Sequence, residues 1–137
     1  MIDRQGRKIN YARISVTDRC DLRCVYCMPE QGLKLATHAE ILRYEEIVRL
    51  VGLLAHLGVR KIRLTGGEPL VRLGLAGLIE QLKSVDGIER ICLTTNGMLL
   101  GDQLPELTAA GLDSVNISLD ALDEEVFARI TRRPGVR

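Results

Sequence analysis

The sequence predicts an α/β fold built on a parallel sheet, and three observations carry that prediction. Short apolar runs alternate with longer stretches of helical period; the alternation repeats four times; and each run splits by parity into an apolar and a polar set, as a strand with two different faces requires. The first strand, Arg13 to Thr17, leads into a loop carrying Cys20, Cys24 and Cys27 and then a long polar segment. A helix from about Tyr44 to Leu57 follows, with Ile47, Leu50, Val51 and Leu54 as its inward stripe and Gly58 placed to end it. The second strand, Lys61 to Thr65, is followed by a helix from about Leu73 to Val85, in which Leu75, Leu78, Ile79 and Leu82 repeat the spacing. The third strand, Arg90 to Asn96, precedes a short helix with Asp102 as its cap and Pro105 in its first turn. The fourth, Ser114 to Leu119, is followed by Asp123 and a last helical stretch containing Val126, Phe127 and Ile130.

With 137 residues, a formal net charge of +1 and 46% hydrophobic residues, the chain is expected to form one domain or part of one. Charged residues make up 27% and are spread along it, so neither a basic stripe for nucleic acid nor an acidic tail is present, and any anion must be held by a few placed arginines. No leader is read at the start, and no apolar stretch approaches the ~20 residues that cross a bilayer, so cytoplasmic residence and no membrane partner are expected. Four cysteines allow two disulfides in principle. Three of them lie within eight positions, which suits a metal better and fits a reducing compartment.

The strands are expected to set Ile14 and Val16, Ile62 and Leu64, Ile91 and Leu93, and Val115, Ile117 and Leu119 beneath the helices. The opposite face carries Arg13, Ser15 and Thr17, then Arg63 and Thr65, then Cys92, Thr94 and Asn96, then Asn116, Ser118 and Asp120. Burying unpaired polar groups costs about 1–3 kcal/mol each, so four polar strands in succession imply a wet or ligand-filled concave face; the alternative is mutual bonding or an open, solvated sheet. Parallel α/β folds put their sites where strands run out into loops. Here those ends hold the cysteines, then Thr65-Gly66-Gly67-Glu68-Pro69, then Thr94-Thr95-Asn96-Gly97, then Ser118-Leu119-Asp120. The two glycines would let a ligand approach the backbone, and Glu68 would accept hydrogen bonds from an ammonium group. Cys92 is expected to be a small buried residue, and His56 a surface residue near a helix end.

Three clustered thiolates suit a four-iron cluster with one iron left open to a non-protein ligand. A zinc site completed by His38 competes with this, but its first gap of three residues and the polar loop around His38 argue against it. The motif C-x₃-C-x₂-C, with Tyr26 before the third cysteine, resembles the signature of the radical S-adenosylmethionine (SAM) superfamily. The longer phrases are similar to the GTP 3′,8-cyclase family of molybdenum cofactor biosynthesis: Arg13-Ile-Ser-Val-Thr-Asp-Arg-Cys20, Tyr26-Cys27-Met28-Pro29, Ile62 to Arg72 around Gly66-Gly67-Glu68-Pro69, Thr94 to Gly97 and Asn116 to Asp120.

That resemblance implies a partial (β/α)₆ barrel, with residues 1–137 as the N-terminal portion of the core domain. It implies a [4Fe-4S] cluster on Cys20, Cys24 and Cys27, and SAM held by Tyr26, Gly67 and Ser118. GTP would be held by Arg13, Arg63 and Thr94; Arg72, at a helix start, is a weaker candidate better explained as a solvated charge. In such enzymes the reduced cluster cleaves SAM, the 5′-deoxyadenosyl radical takes the ribose 3′ hydrogen of GTP, and that carbon bonds to C8. An electron donor such as a flavodoxin or ferredoxin is implied, and a homodimer is left open. The family's second cysteine triad and C-terminal half have no counterpart here, so the chain is expected to be inactive by itself, with strand four exposing an edge. A noncatalytic cluster- and SAM-binding remnant, or a radical SAM enzyme of another substrate class, are the alternatives.

Overall fold

The computed structural model describes residues 2–29 and 31–134. Four parallel strands lie side by side in chain order: β1 (Tyr11–Ser15), β2 (Lys61–Thr65), β3 (Arg90–Thr95) and β4 (Ser114–Ile117). Between them run α1 (Tyr44–His56), α2 (Leu75–Lys83) and α3 (Leu100–Ala109), and α4 (Glu124–Thr131) follows β4. Arg13 pairs with Arg63, Leu64 with Leu93 and Thr94 with Asn116, so every strand presents the expected parity to each face.

The core is one layer between the sheet and three helices. Ile14, Ile62, Leu64, Ile91 and Leu93 meet Ile47 and Val51 of α1, Leu75, Leu78, Ile79 and Leu82 of α2, and Leu107 of α3. Gly58 ends α1 as expected: at φ +97° it takes the left-handed conformation, its N–H donates to Ala55 O at 3.0 Å, and Val59 N donates to Leu54 O at 3.0 Å. Cys92 is fully buried.

Several elements differ from their expected form. Leu50 is exposed, because the row that faces the sheet is Ile47, Val51 and Ala55, and the helix that α1 packs against, α2, does not cover Leu50. The helix α2 begins at Leu75, leaving Leu73 outside it and exposed. Asp102 does not cap α3. The Leu100 N–H closes a turn onto Gly97 O at 3.1 Å, and Leu99 and Leu100 pack against the core, which starts the helix ahead of Asp102 and leaves Pro105 inside it. Strand β4 is short, and Ile117 and Leu119 are 57% and 49% exposed instead of packed under a helix. The reason is that α4 does not join this core; it docks on the cysteine loop.

Candidate functional site

Past its end, β1 continues as an extended segment pressed against the glycine turn that follows β2. Val16 N donates to Thr65 O at 2.8 Å, Gly67 N to Thr17 O at 2.8 Å, and Glu68 N to Arg19 O at 2.7 Å. A β-carbon on Gly66 would stand 2.5 Å from Thr17 O, and one on Gly67 would overlap Arg19 O. The two glycines therefore make room first for the protein's own backbone. Glu68 is 1% exposed. Its Oε1 accepts from Leu70 N at 3.0 Å and Thr95 Oγ1 at 2.7 Å, and its Oε2 accepts from Asn96 N at 2.7 Å. The carboxylate expected to receive an ammonium group is instead a buried tie between the ends of β2 and β3, with most of its acceptor capacity used.

Cys20, Cys24 and Cys27 follow that segment in a loop of turns. Cys27 N and Met28 N both donate to Cys24 O, at 3.0 and 2.9 Å, and Leu22 N donates to Cys20 Sγ at 3.4 Å. All three cysteines border a hollow of about 360 Å³ shared with Ser15, Asp18, Met28 and Gly66. They also border a second hollow of about 230 Å³, whose other walls include Tyr26, Gly67, Glu68, Thr94 and Ser118. Burial pushes the Cys20 and Cys24 thiols above their ordinary range, so metal binding there must displace protons. Among the described residues, no three Cys, His, Asp or Glu side chains are gathered as a single-ion site. A four-iron cluster asks for something else, one thiolate on each of three irons around a shared space, and three cysteines bordering common hollows fit that demand. His38 lines a different cavity, with Arg19, Arg43 and Arg72, and none of the three cysteines borders it.

The open face of the sheet is cross-linked by Arg63. Its Nε donates to Tyr11 Oη at 3.0 Å, and its Nη1 donates to Thr94 Oγ1 at 3.1 Å and Asn116 Oδ1 at 2.7 Å. These partners are neutral and come from the other three strands, so the guanidinium is held in place, and among the described residues no carboxylate compensates its charge and Nη2 has no partner. Arg13 stands beside it in the β1–β2 register, and Lys61 lies over the Tyr11 ring at 5.5 Å. Arg72 has another function. Its guanidinium donates to Val16 O at 2.6 Å and Leu42 O at 2.8 Å and lies 4.2 Å from the centre of the Tyr44 ring, so it ties three segments together and is not a solvated charge.

The structure thus gathers Tyr26, Gly67, Thr94 and Ser118 at one hollow with the three cysteines, and joins Thr94 to Arg63. Arg13 belongs to the same face through its register and does not line that hollow. Sequence reasoning missed Tyr11 as an acceptor, because the first strand is expected to run from Arg13 to Thr17, whereas β1 runs Tyr11–Ser15 and so includes Tyr11. It also missed Asp120 as the partner of Tyr26, whose Oη donates to Asp120 Oδ2 at 2.8 Å and whose phenol that carboxylate pushes above its usual range.

Residues 14–137 match the family model of the radical SAM superfamily. A GTP 3′,8-cyclase of Petrotoga mobilis is 53% identical over 133 residues, 97% of this chain and 41% of the relative. One from Heliobacterium modesticaldum is 56% identical over 132 residues, 96% of this chain and 40% of the relative. The chain therefore spans about two fifths of the length of these curated relatives. Among solved structures, BtrN in complex with AdoMet and 2-DOIA superposes with a TM-score of 0.63 at 20% identity, over 90% of this chain and 51% of that one. A histidine-tagged anSMEcpe with bound AdoMet gives a TM-score of 0.65 at 20% identity, over 88% of this chain and 33% of that one. At such identity the two structures speak for the fold alone.

Proposed function

The chain belongs to the radical SAM superfamily, and on that footing we propose that it is the cluster- and SAM-binding part of a GTP 3′,8-cyclase acting in molybdenum cofactor biosynthesis. Cys20, Cys24 and Cys27 would hold a [4Fe-4S] cluster, with Tyr26, Gly67 and Ser118 holding SAM beside it. Reductive cleavage of SAM is the chemistry such a cluster supplies when bound, and in the cyclase it serves the closure of C3′ of GTP onto C8. The residues of this chain bind and orient. Arg13 and Arg63 would take phosphate oxygens, Thr94 would sit between the nucleotide and the cysteine hollow, and the helix-covered sheet would keep these groups fixed. A small electron carrier, a flavodoxin or ferredoxin, would deliver the electron. The four free cysteines accord with a reducing compartment, and no helix among the described residues is long and apolar enough to cross a membrane.

One observation carries the proposal: the three cysteines that the resemblance assigns to the cluster, Tyr26, Gly67 and Ser118 that it assigns to SAM, and Thr94 that it assigns to GTP all border a single hollow. Anaerobic reconstitution with ferrous iron and sulfide tests it. The chain is expected to take up both and develop cluster absorbance, whereas Cys24→Ala should not; a variant that keeps the cluster would refute the ligand assignment.

A noncatalytic cluster- and SAM-binding module is the second reading, favoured by the exposure of Ile117 and Leu119, which flank Ser118 of that hollow. Product analysis separates the two. SAM binding with release of neither 5′-deoxyadenosine nor cyclised nucleotide, even from a polypeptide completed to the length of the relatives, would select the module.

A further inference from the structure

The cysteine loop has no regular secondary structure of its own, yet it is tied down at alternate positions by segments far along the chain. A helix leaves its last carbonyls without intrahelical donors, and in α4 those carbonyls are taken by loop amides. Arg23 N donates to Thr131 O and Val25 N to Ile130 O, both at 2.9 Å. The residue that ends α4, Arg132, has φ 54° and ψ 27°, and it is the only non-glycine with positive φ among the described residues. Side chains other than glycine rarely adopt that conformation. Here it turns the guanidinium back to the loop, where Nη1 donates to Met28 O at 3.1 Å. Thr131, fully buried, locks the turn through Oγ1, whose single proton can go to Phe127 O at 2.9 Å or Arg133 O at 3.0 Å and which accepts from Arg133 N at 3.3 Å. Two further ties reach the loop from strand ends: Tyr26 Oη to Asp120 Oδ2 at 2.8 Å, and Asn96 Nδ2 to Asp21 Oδ1 at 2.7 Å. The held positions interleave with the cysteines, which border the shared hollows.

We propose that α4 is the positioning element of the cysteine loop, its left-handed Arg132 turn and the Tyr26–Asp120 bond holding residues 23–28 in place before any metal is bound. This rests on the reading of the loop as the ligand loop, and it adds Arg132, Thr131 and Asp120 as positioning residues that touch neither cluster nor substrate. It also explains why α4 is withheld from the sheet core. In the observed position its C-terminal carbonyls meet the amides of Arg23 and Val25.

Amide hydrogen exchange by NMR on the iron-free chain tests the proposal with Arg132→Gly and Tyr26→Phe. Glycine accepts the left-handed turn, so the first variant removes only the guanidinium contact. Loss of one hydrogen bond of ordinary net strength should speed exchange at Arg23 and Val25 by about five- to tenfold, with the amides of Ile62 and Leu64 unchanged. After anaerobic reconstitution, both variants should lose iron to a chelator faster than wild type and show a broadened electron paramagnetic spectrum. Unchanged exchange at Arg23 and Val25 in both variants overturns the proposal. An equal rise at β2 also overturns it, since the contacts would then serve global stability alone. If protection is lost in the variants but the wild-type chain takes up no iron, the positioning role of α4 stands and the proposed function falls.

Discussion

The two faces of the sheet are made from alternate residues of the same strands, and they have opposite characters. On the helix side, Ile62, Leu64, Ile91 and Leu93 have no solvent exposure. One residue along, Arg63, Thr94 and Asn116 form a hydrogen-bonded row whose only charge, that of Arg63, has no carboxylate partner among the described residues. A fold that needed charge neutrality for stability would not leave a cation on neutral acceptors with one nitrogen spare. The difference teaches that the packed core lies on one side and an uncompensated cation on the other, so, under the proposed function, a step of one residue along a strand should move a mutation from stability to anion binding.

The largest effect should come from the covered face. Leu64→Ala removes buried methyl groups from a site walled by strands and helices, and should cost about 2–5 kcal/mol in denaturant unfolding. A cost under about 1 kcal/mol would mean that this face is not the core and would break the comparison. Next is Glu68, placed where the two faces meet the loops. Glu68→Ala strands the Thr95 hydroxyl and the Leu70 and Asn96 amides, and should cost about 2–3 kcal/mol, with Glu68→Gln recovering part of it. If Glu68→Ala left stability unchanged while weakening SAM binding, the buried-tie assignment would be wrong and the ammonium acceptor right. Arg63→Ala removes three partly exposed hydrogen bonds and should cost about 1 kcal/mol in unfolding, well below Leu64→Ala. In a polypeptide completed to the relatives' length, it should weaken GTP binding at least about tenfold, measured by calorimetry, as loss of a charge-assisted contact of ~1.5–3 kcal/mol implies. A stability loss as large as that of Leu64→Ala would erase the distinction between the faces.

Much of this was legible in the sequence because parity on a strand is decided locally. The alternation of Ile62, Arg63 and Leu64 needs no knowledge of what lies across the sheet, and the Cys20, Cys24 and Cys27 spacing is covalent. What was not legible depends on partners distant in sequence. Glu68 reads as a free acceptor until β3 brings Thr95 and Asn96 to it, and Arg72 reads as a solvated charge until Val16, Leu42 and Tyr44 surround it. The amphipathic pattern of α4 is real, but its target could not be read from periodicity, which tells that a helix has an inner side and not what that side meets. The start of α3 shifted for a related reason: the Gly97 turn and the packing of Leu99 and Leu100 outweigh Asp102 as a local cap.

The smallest expected effect lies at the opposite end of the sheet from the cysteines, and it sharpens the comparison by testing whether ends as well as faces are separable. Asp113 stands just before β4. Its Oδ2 accepts from Ile91 N at 2.7 Å and from Lys83 Nζ at 3.1 Å, so it joins β3 and the end of α2 to the last strand. Burial by itself would raise its pKa, but the Ile91 amide and the Lys83 ammonium outweigh burial and hold the carboxyl below the ordinary value of 3.8. A folded-state pKa below the unfolded one means that the charged form is favoured by folding. The stabilisation is therefore complete above the unfolded value and disappears as pH falls through the depressed folded value. Asp113→Asn should cost about 1 kcal/mol near neutral pH, discounted for the partial exposure of the pair, and the gap to wild type should close below pH 3.8 in urea titrations run from neutral to acid. A gap that persisted undiminished into acid would assign the effect to packing and not to the charge. Iron uptake by Asp113→Asn should match wild type, because neither face of the site end touches Asp113; impaired uptake would show that the sheet couples its two ends.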